Sequence, residues 1–420
     1  MIEDVKIKSF DFWYVFIVML YFGGATLAFL GMTFYTNIFS VGVPFVYTCL
    51  VYNKYKLVLS RSLFVSIAIV IIWFLFQYYY YGYFNKVDFS FYIYNILVAY
   101  TLIKSYGKKF FYIFEKVMYV LAIISLIGWI LCLLGGRDIL AFLAPFEGNR
   151  IIDGSYGVFG VVNPRGDTDK LYYSLFRNCG FCSEPGHFSA AICIAIIANL
   201  FCNNFKIRKN KHLLILFLTL LSTQSTTGYF ILGAVIIPLL IINYKGREKR
   251  IIYVFAVLSA GFIMSSSVVS QKIEDNKYSE ESLYGLVDRY ENDDFGMVAQ
   301  RFDSFMIEVM NFKENPWIGY GIWDNSFFYN HISQKVFPSN GCITVFAKFG
   351  LIIGLIYYIS LLLSSITIVK EFKMKGAVFI MLLILCFLFS YDFQTRNLIL
   401  LFVLYKPFAN KKIMSSIMDK

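Results

Sequence analysis

The sequence predicts an all-α polytopic membrane protein with about twelve transmembrane helices, cytoplasmic N and C termini, and two long, partly helical outer-face loops. Three observations predict it. Apolar side chains make up 58% of the chain and charged ones only 15%, with a mean hydropathy of +0.63; soluble domains run nearer 45–50% and about 25%. Apolar runs of about 20 residues recur along all 420 residues, and Lys and Arg gather in alternate gaps between them. A soluble enzyme or a disordered chain is excluded by the apolar surface it would carry. A porin-type barrel is excluded because the runs are solid rather than alternating.

Taken in order, the predicted crossings are Phe12–Met32, Phe34–Tyr52, Ser62–Tyr81, Phe89–Tyr106, Phe110–Leu134, Glu184–Cys202, His212–Thr223, Tyr229–Asn243, Ile251–Ser270, Gly341–Val369, Gly376–Ser390 and Thr395–Pro407. The N-terminus carries both signs of charge and no small-residue cleavage site, so it reads as an uncleaved anchor. Basic clusters at Lys54–Arg61, Lys104–Lys109, Lys206–Lys211, Lys245–Arg250, Lys370–Lys375 and Lys406–Lys412 mark the inner face. The net charge of +11 therefore reports topology, and no nucleic-acid partner is expected. Most of the eight cysteines stand singly in apolar runs, without disulfide or zinc spacing.

His212–Asn243 is short for two crossings. A single one would put the basic gaps on either side of it on opposite faces, so two crossings with a polar break at Ser222–Gly228 are preferred. The break's hydroxyls, Thr226 and Thr227 among them, either pack between helices or line a sugar-facing cavity.

The chain thus divides into helices at 1–134, an outer loop at 135–183, helices at 184–270, a second outer loop at 271–340, and helices with a tail at 341–420. The first loop balances five basic residues against five acids, and the second sets six against twelve. Trp317, Trp323 and many Tyr and Phe predict folded caps rather than tails. In the second loop Val298, Phe302, Phe305 and Val309 form an apolar stripe, with Gln300, Asp303, Ser304 and Glu308 facing elsewhere. Arg301 rides the shoulder of that stripe. Such a helix lies either on the membrane surface or on the cap. Asn315-Pro316 ends it and Gly319-Tyr320-Gly321 makes a tight turn.

The most informative segment is Arg177-Asn178-Cys179-Gly180-Phe181-Cys182-Ser183-Glu184-Pro185-Gly186-His187-Phe188. Ser183 suits a helix N-cap and Pro185 the first turn, leaving Glu184 at the positive end of a helix dipole. An ionised carboxylate there, seven residues after an arginine, is a candidate general base beside an anion clamp. His187 lies one turn on, where it can hydrogen-bond Glu184 or line the mouth. Cys179 and Cys182 read as small residues near a helix start, with a disulfide as the alternative. Asp167-Thr168-Asp169 reads as a solvated loop; no metal or other cofactor is expected.

This segment resembles the Arg…Gly-Phe…Glu-Pro-Gly-x-Phe pattern of bacterial O-antigen and capsule polymerases, the Wzy-type family of the O-antigen polymerase and ligase superfamily. Ser225-Thr226-Thr227-Gly228 is similar to its hydroxyl-rich element. Arg301 with Pro316-Trp317-Ile318-Gly319-Tyr320-Gly321, and Ser339-Asn340-Gly341 with Phe349-Gly350, resemble its later motifs. Ser339 stands where ligases tend to have histidine, and His331 is out of register, so no histidine base carries over.

The resemblance implies a glycosyltransferase in the bacterial cytoplasmic membrane, its site facing the periplasm or cell exterior. It would polymerise undecaprenyl-pyrophosphate-linked repeat units into O-antigen, capsule or exopolysaccharide. The lipid-linked glycan and the bilayer are then its partners, with a chain-length regulator and a flippase beside it. Guanidinium forks match phosphate oxygens, so Arg177 and Arg301 are the candidate catalytic cations and Glu184 the candidate base. Arg289, His187, Asn340, Thr226 and Thr227 are candidate substrate contacts. An O-antigen ligase is the alternative within the class and a flippase the alternative outside it. Against the flippase, internal repeats are absent from the sequence and the polar residues gather outside.

Overall fold

A computed structural model of the protein describes residues 7–23, 42–134, 164–165, 177–182, 184–244, 246, 301–321, 340–392 and 397–409. In chain order these form α1 (Ser9–Gly23), α2 (Val43–Lys54), α3 (Arg61–Tyr81), α4 (Lys86–Tyr106), α5 (Lys109–Leu133), β1 (Pro164–Arg165) and β2 (Arg177–Asn178). There follow α6 (Pro185–Cys202), α7 (Lys211–Ser222), α8 (Thr226–Asn243), α9 (Arg301–Glu314), α10 (Gly341–Glu371), α11 (Ala377–Ser390) and α12 (Asn397–Phe408). A π segment, Leu232–Ile236, interrupts α8 just before Pro238, which has no N–H to give the helix.

The described helices α3, α5, α6, α8 and α10 are long and apolar enough to cross a membrane, and α1, α7, α11 and Leu398–Phe408 are shorter apolar helices. The predicted crossing Ile251–Ser270 lies outside the described residues. Caps fix the ends where the sequence changes character. Ser60 accepts from the Leu63 N–H at the start of α3, Asn85 does the same for Val87 and Asp88 at α4, and Gly82 closes α3 at φ 70°.

The central helix is α6, nearly every side chain of which is buried. Ala190, Ala191, Ala195 and Ala198 let α5, α7 and α8 approach it closely. The start of α7 (Lys211–Phe217) and the end of α8 (Ile236–Leu240) flank one groove, so the two run antiparallel and their basic ends lie together. The turn between them is Thr223–Ser225, with Gln224 at φ 48° and the Tyr229 hydroxyl donating back to the Leu221 carbonyl at 2.8 Å. This is the break placed at Ser222–Gly228 from the sequence.

Charges within the bundle are paired near the basic end. Buried Asp11 holds Lys54 at 3.2 Å and Lys109 at 3.7 Å. Glu115 accepts from the Asn199 amide at 2.8 Å and lies 2.7 Å from His212 Nδ1, whose ring stacks on Tyr119. These ionisable groups tie helices together rather than mark a conduction path.

At the opposite end α10 breaks at Gly350 (φ 77°, ψ 177°). The turn after α9 fits into that break: Tyr320 N–H donates to the Ala347 carbonyl at 2.8 Å, Gly321 N–H to Lys348 at 3.1 Å, and Leu351 N–H to Pro316 at 2.8 Å. From α3, the Gln77 amide donates to the Ile318 and Lys348 carbonyls at 3.0 and 2.7 Å, and the Tyr81 hydroxyl donates to Gly319. The two glycine motifs noted in the sequence are therefore one structural joint. A side chain at Gly350 would overlap the Trp317 carbonyl and require a left-handed backbone. Gly350→Ala should cost at least about 2 kcal/mol, seen as a drop of several degrees in Tm of the detergent-purified protein.

Candidate active site at the polar end of the bundle

Arg177 lies on β2, which pairs antiparallel with β1 in the register Arg165↔Arg177. Its guanidinium donates from Nε to the Thr223 carbonyl at 3.4 Å and from Nη2 to that of Gln224 at 3.2 Å. The arginine thus caps the irregular turn between α7 and α8. Next to it Asn178, fully buried, donates to the hydroxyls of Ser125 (3.2 Å) and Ser222 (2.9 Å) and accepts from Gly180 N–H at 2.9 Å. Gly180 (φ 52°) sits under the Phe188 ring, where a Cβ would overlap. Cys179 and Cys182 are buried and no disulfide joins them.

Glu184 itself occupies the N-cap of α6, one residue later than the sequence suggested for the cap, and Ser183 lies outside the described residues. Its carboxylate makes no capping hydrogen bond. Pro185 at the first position withdraws one donor, and the side chain turns to His187, Nε2 to Oε2 3.9 Å. The Glu184 side chain is 35% exposed and that of His187 12%, so the carboxylate is the more open of the two.

His187 meets Tyr391, in the turn after α11. The His187 ring stands edge-on to Tyr391 at 3.9 Å between centroids, and the tyrosine hydroxyl lies against the backbone of Gly186, where any side chain would overlap it. Arg301, at the start of α9, stacks its guanidinium over the same ring at 4.5 Å and donates to the hydroxyl. Burial pushes the Tyr391 hydroxyl up to about 12; Arg301 and Arg177 pull it back and Glu184 adds to it, so all three charges lie within electrostatic reach of one phenol. Arg177, Glu184 and His187 from one segment and Arg301 from another thus all act on one phenol, His187 and Arg301 by direct contact. Sequence reading missed Tyr391 itself. Its only signal was the polar pair Tyr391-Asp392 closing an apolar run.

The remaining candidates divide. Asn340 is fully buried and caps α10, accepting from Cys342 N–H at 3.1 Å and Ile343 N–H at 3.4 Å while its amide donates to the Phe389 carbonyl at 3.2 Å. Ser225 caps α8 and accepts from Ser189 at 3.0 Å, and half-buried Thr227 pairs with Ser390 at 2.9 Å; Thr226 is half-buried beside them. This favours the packing role for the hydroxyl element. Arg289, His331, Ser339 and Asp167–Asp169 lie outside the described residues. Among the described residues no three of His, Cys, Asp and Glu are placed to hold a metal ion.

Of the two placements open for the helix around Arg301, packing on the cap is the one found, though with the polar side turned inward. α9 buries Asp303, Ser304, Ile307, Glu308 and Asn311, while Phe305 and Val309 are only half-buried. Its polar side faces inward because the surface beneath it, the head of α10, presents Thr344 and Lys348. It therefore packs on a polar cap rather than resting an apolar stripe on lipid.

Residues 212–359 match the family described as O-antigen ligase. That match is consistent with the O-antigen polymerase and ligase superfamily. It includes Thr226, Thr227, Arg289, Arg301 and Asn340 and begins after Arg177, Glu184 and His187. No curated protein matches the chain. The match and the long apolar helices together point to an integral membrane protein; the matching family implies enzymes of the glycosyltransferase type that act on lipid-linked glycans.

The Gly186–Tyr391 contact carries its own test. Gly186→Ala should destabilise the protein by about 1–3 kcal/mol through overpacking, and the loss should shrink in Gly186→Ala/Tyr391→Phe. Thermal unfolding of the two variants against wild type checks this.

Proposed function

We propose that the protein is a polysaccharide polymerase of the cytoplasmic membrane, transferring a glycan from undecaprenyl pyrophosphate to the terminal sugar of a second lipid-linked repeat unit at the outer leaflet. The observation that supports this reading is Arg301 stacked on Tyr391 beside the His187–Glu184 pair, with Arg177 and Glu184 within electrostatic reach of the same phenol. An acceptor hydroxyl attacks the anomeric carbon, the bond from that carbon to the pyrophosphate oxygen breaks, and the lipid pyrophosphate leaves with the electron pair. Two guanidinium groups at that point hold the diphosphate and stabilise the departing charge, roughly 3–4 kcal/mol for each well-placed donor. Glu184, half-buried and beside His187, accepts the hydroxyl proton. Phosphate charge at the site lies at the end of the bundle away from the basic clusters, which the charge bias places inside the cell.

Transfer of finished glycan to another acceptor, the ligase reaction, is the second reading, favoured by the description of the matching family. Deleting the gene separates the two. Loss of long chains with single repeat units retained means polymerase; lipid-linked polymer accumulating unattached means ligase.

Arg177→Ala and Arg301→Ala should each leave protein in the membrane and abolish polymer, a loss of at least about a hundredfold in turnover. Lysine at either position should restore only part, because a single ammonium lacks the two-pronged fork. Wild-type polymer in both alanine variants, on a gel of extracted glycan, would remove the pair from the site.

A further inference from the structure

Glu308 lies seven residues along α9 from Arg301, two turns on and about 10 Å away on the inward side. It is fully buried. Its Oε1 accepts from the Tyr320 hydroxyl and the Thr344 hydroxyl, both at 3.2 Å. Its Oε2 is buried with no partner. A carboxylate so placed carries a charge with half its acceptor capacity unused, whereas a neutral carboxyl needs far less.

The groups around it are few. The head of α10 presents Thr344 and Lys348, the turn after α9 presents Tyr320, and the turn after α11 presents Asp392, which already holds Lys348 at 3.1 Å. From α11 comes the Phe389 ring, tilted against Phe305 at 6.1 Å between centroids. Along α9 itself Asp303, Ser304 and Asn311 share the buried side. Among the described residues, the one ammonium within reach is thus engaged by another carboxylate.

We infer that Glu308 is a positioning residue for Arg301: neutral, it keeps the polar side of α9 seated on α10, and on ionising it loosens the helix and withdraws the guanidinium from Tyr391. The effect on turnover rests on the transferase reading above; the seating of α9 does not. Burial pushes the Glu308 carboxyl up to about 7, with Asp392 adding to the rise and Lys348 and the two hydroxyls opposing it. A carboxyl raised above its ordinary value favours the seated state at low pH, and that contribution is lost as pH climbs through about 7.

The test uses the full-length protein reconstituted in liposomes, wild type and Glu308→Gln. Glutamine keeps the shape and stays neutral, so it should fold and hold α9 in place at any pH. Hydrogen exchange of the α9 amides, corrected for intrinsic rate, should be about tenfold faster at pH 8 than at pH 6 in wild type and unchanged in Glu308→Gln. With lipid-pyrophosphate-linked repeat unit from the producing strain, wild-type kcat/KM should fall about tenfold over the same interval, mostly through KM. Glu308→Gln should remain active and lose that fall. An α9 exchange profile independent of pH in wild type, or a Glu308→Gln protein that is folded yet inactive, overturns the inference. Exchange as expected with no turnover by any variant overturns the transferase reading instead.

Discussion

Backbone that leaves the helix in an apolar surrounding must find partners for every N–H and C=O it frees. At the polar end of this bundle that requirement organises everything else. The α7–α8 turn exposes the carbonyls of Thr223 and Gln224, and Arg177 takes both. The break at Gly350 exposes Ala347 and Lys348, and the turn after α9 takes those, with Gln77 reaching in from α3. Irregular segments distant in sequence are matched in pairs. The side chains proposed for chemistry ride on those pairs.

Tyr391 is where the pairs meet. It needs a glycine opposite it at Gly186, and a second backbone close by, since Gly341 lies against its carbonyl. Its ring supplies an apolar face for one guanidinium and an edge for an imidazole. A rigid buried phenol is a better reference point than another charge. It orients Arg301 without neutralising it, which a carboxylate in the same place would do.

Helical runs, the position of the α7–α8 break and the residues of the Arg177–Phe188 segment could be read from the sequence because each depends on local chemistry: hydropathy, caps and charge. What could not be read was which surface α9 would find beneath it. Periodicity sorts a helix into two sides but says nothing about the partner, and the head of α10 is polar, so Ser304, Glu308 and Asn311 went in. Asn340 shows a related ambiguity. An asparagine before a helix is as good a cap as a sugar ligand, and the free N–H groups of Cys342 and Ile343 claim it. Tyr391 was invisible because its importance comes from contacts with residues roughly 50 to 200 positions away.

The break in α10 also settles a mismatch of span. α6 has 18 residues and α10 has 31, about 27 and 46 Å as straight rods, yet they share both ends. Tyr391 touches the start of each, and the Phe201 and Phe372 rings lie 5.2 Å apart at the far side. About 13 Å of that difference is the nine residues from Gly341 to Phe349, and Gly350 is where the helix turns. The segment from Gly341 to Phe349 becomes a ledge along the rim of the bundle, and α9 lies on it as a lintel over the doorway where Glu184 faces out.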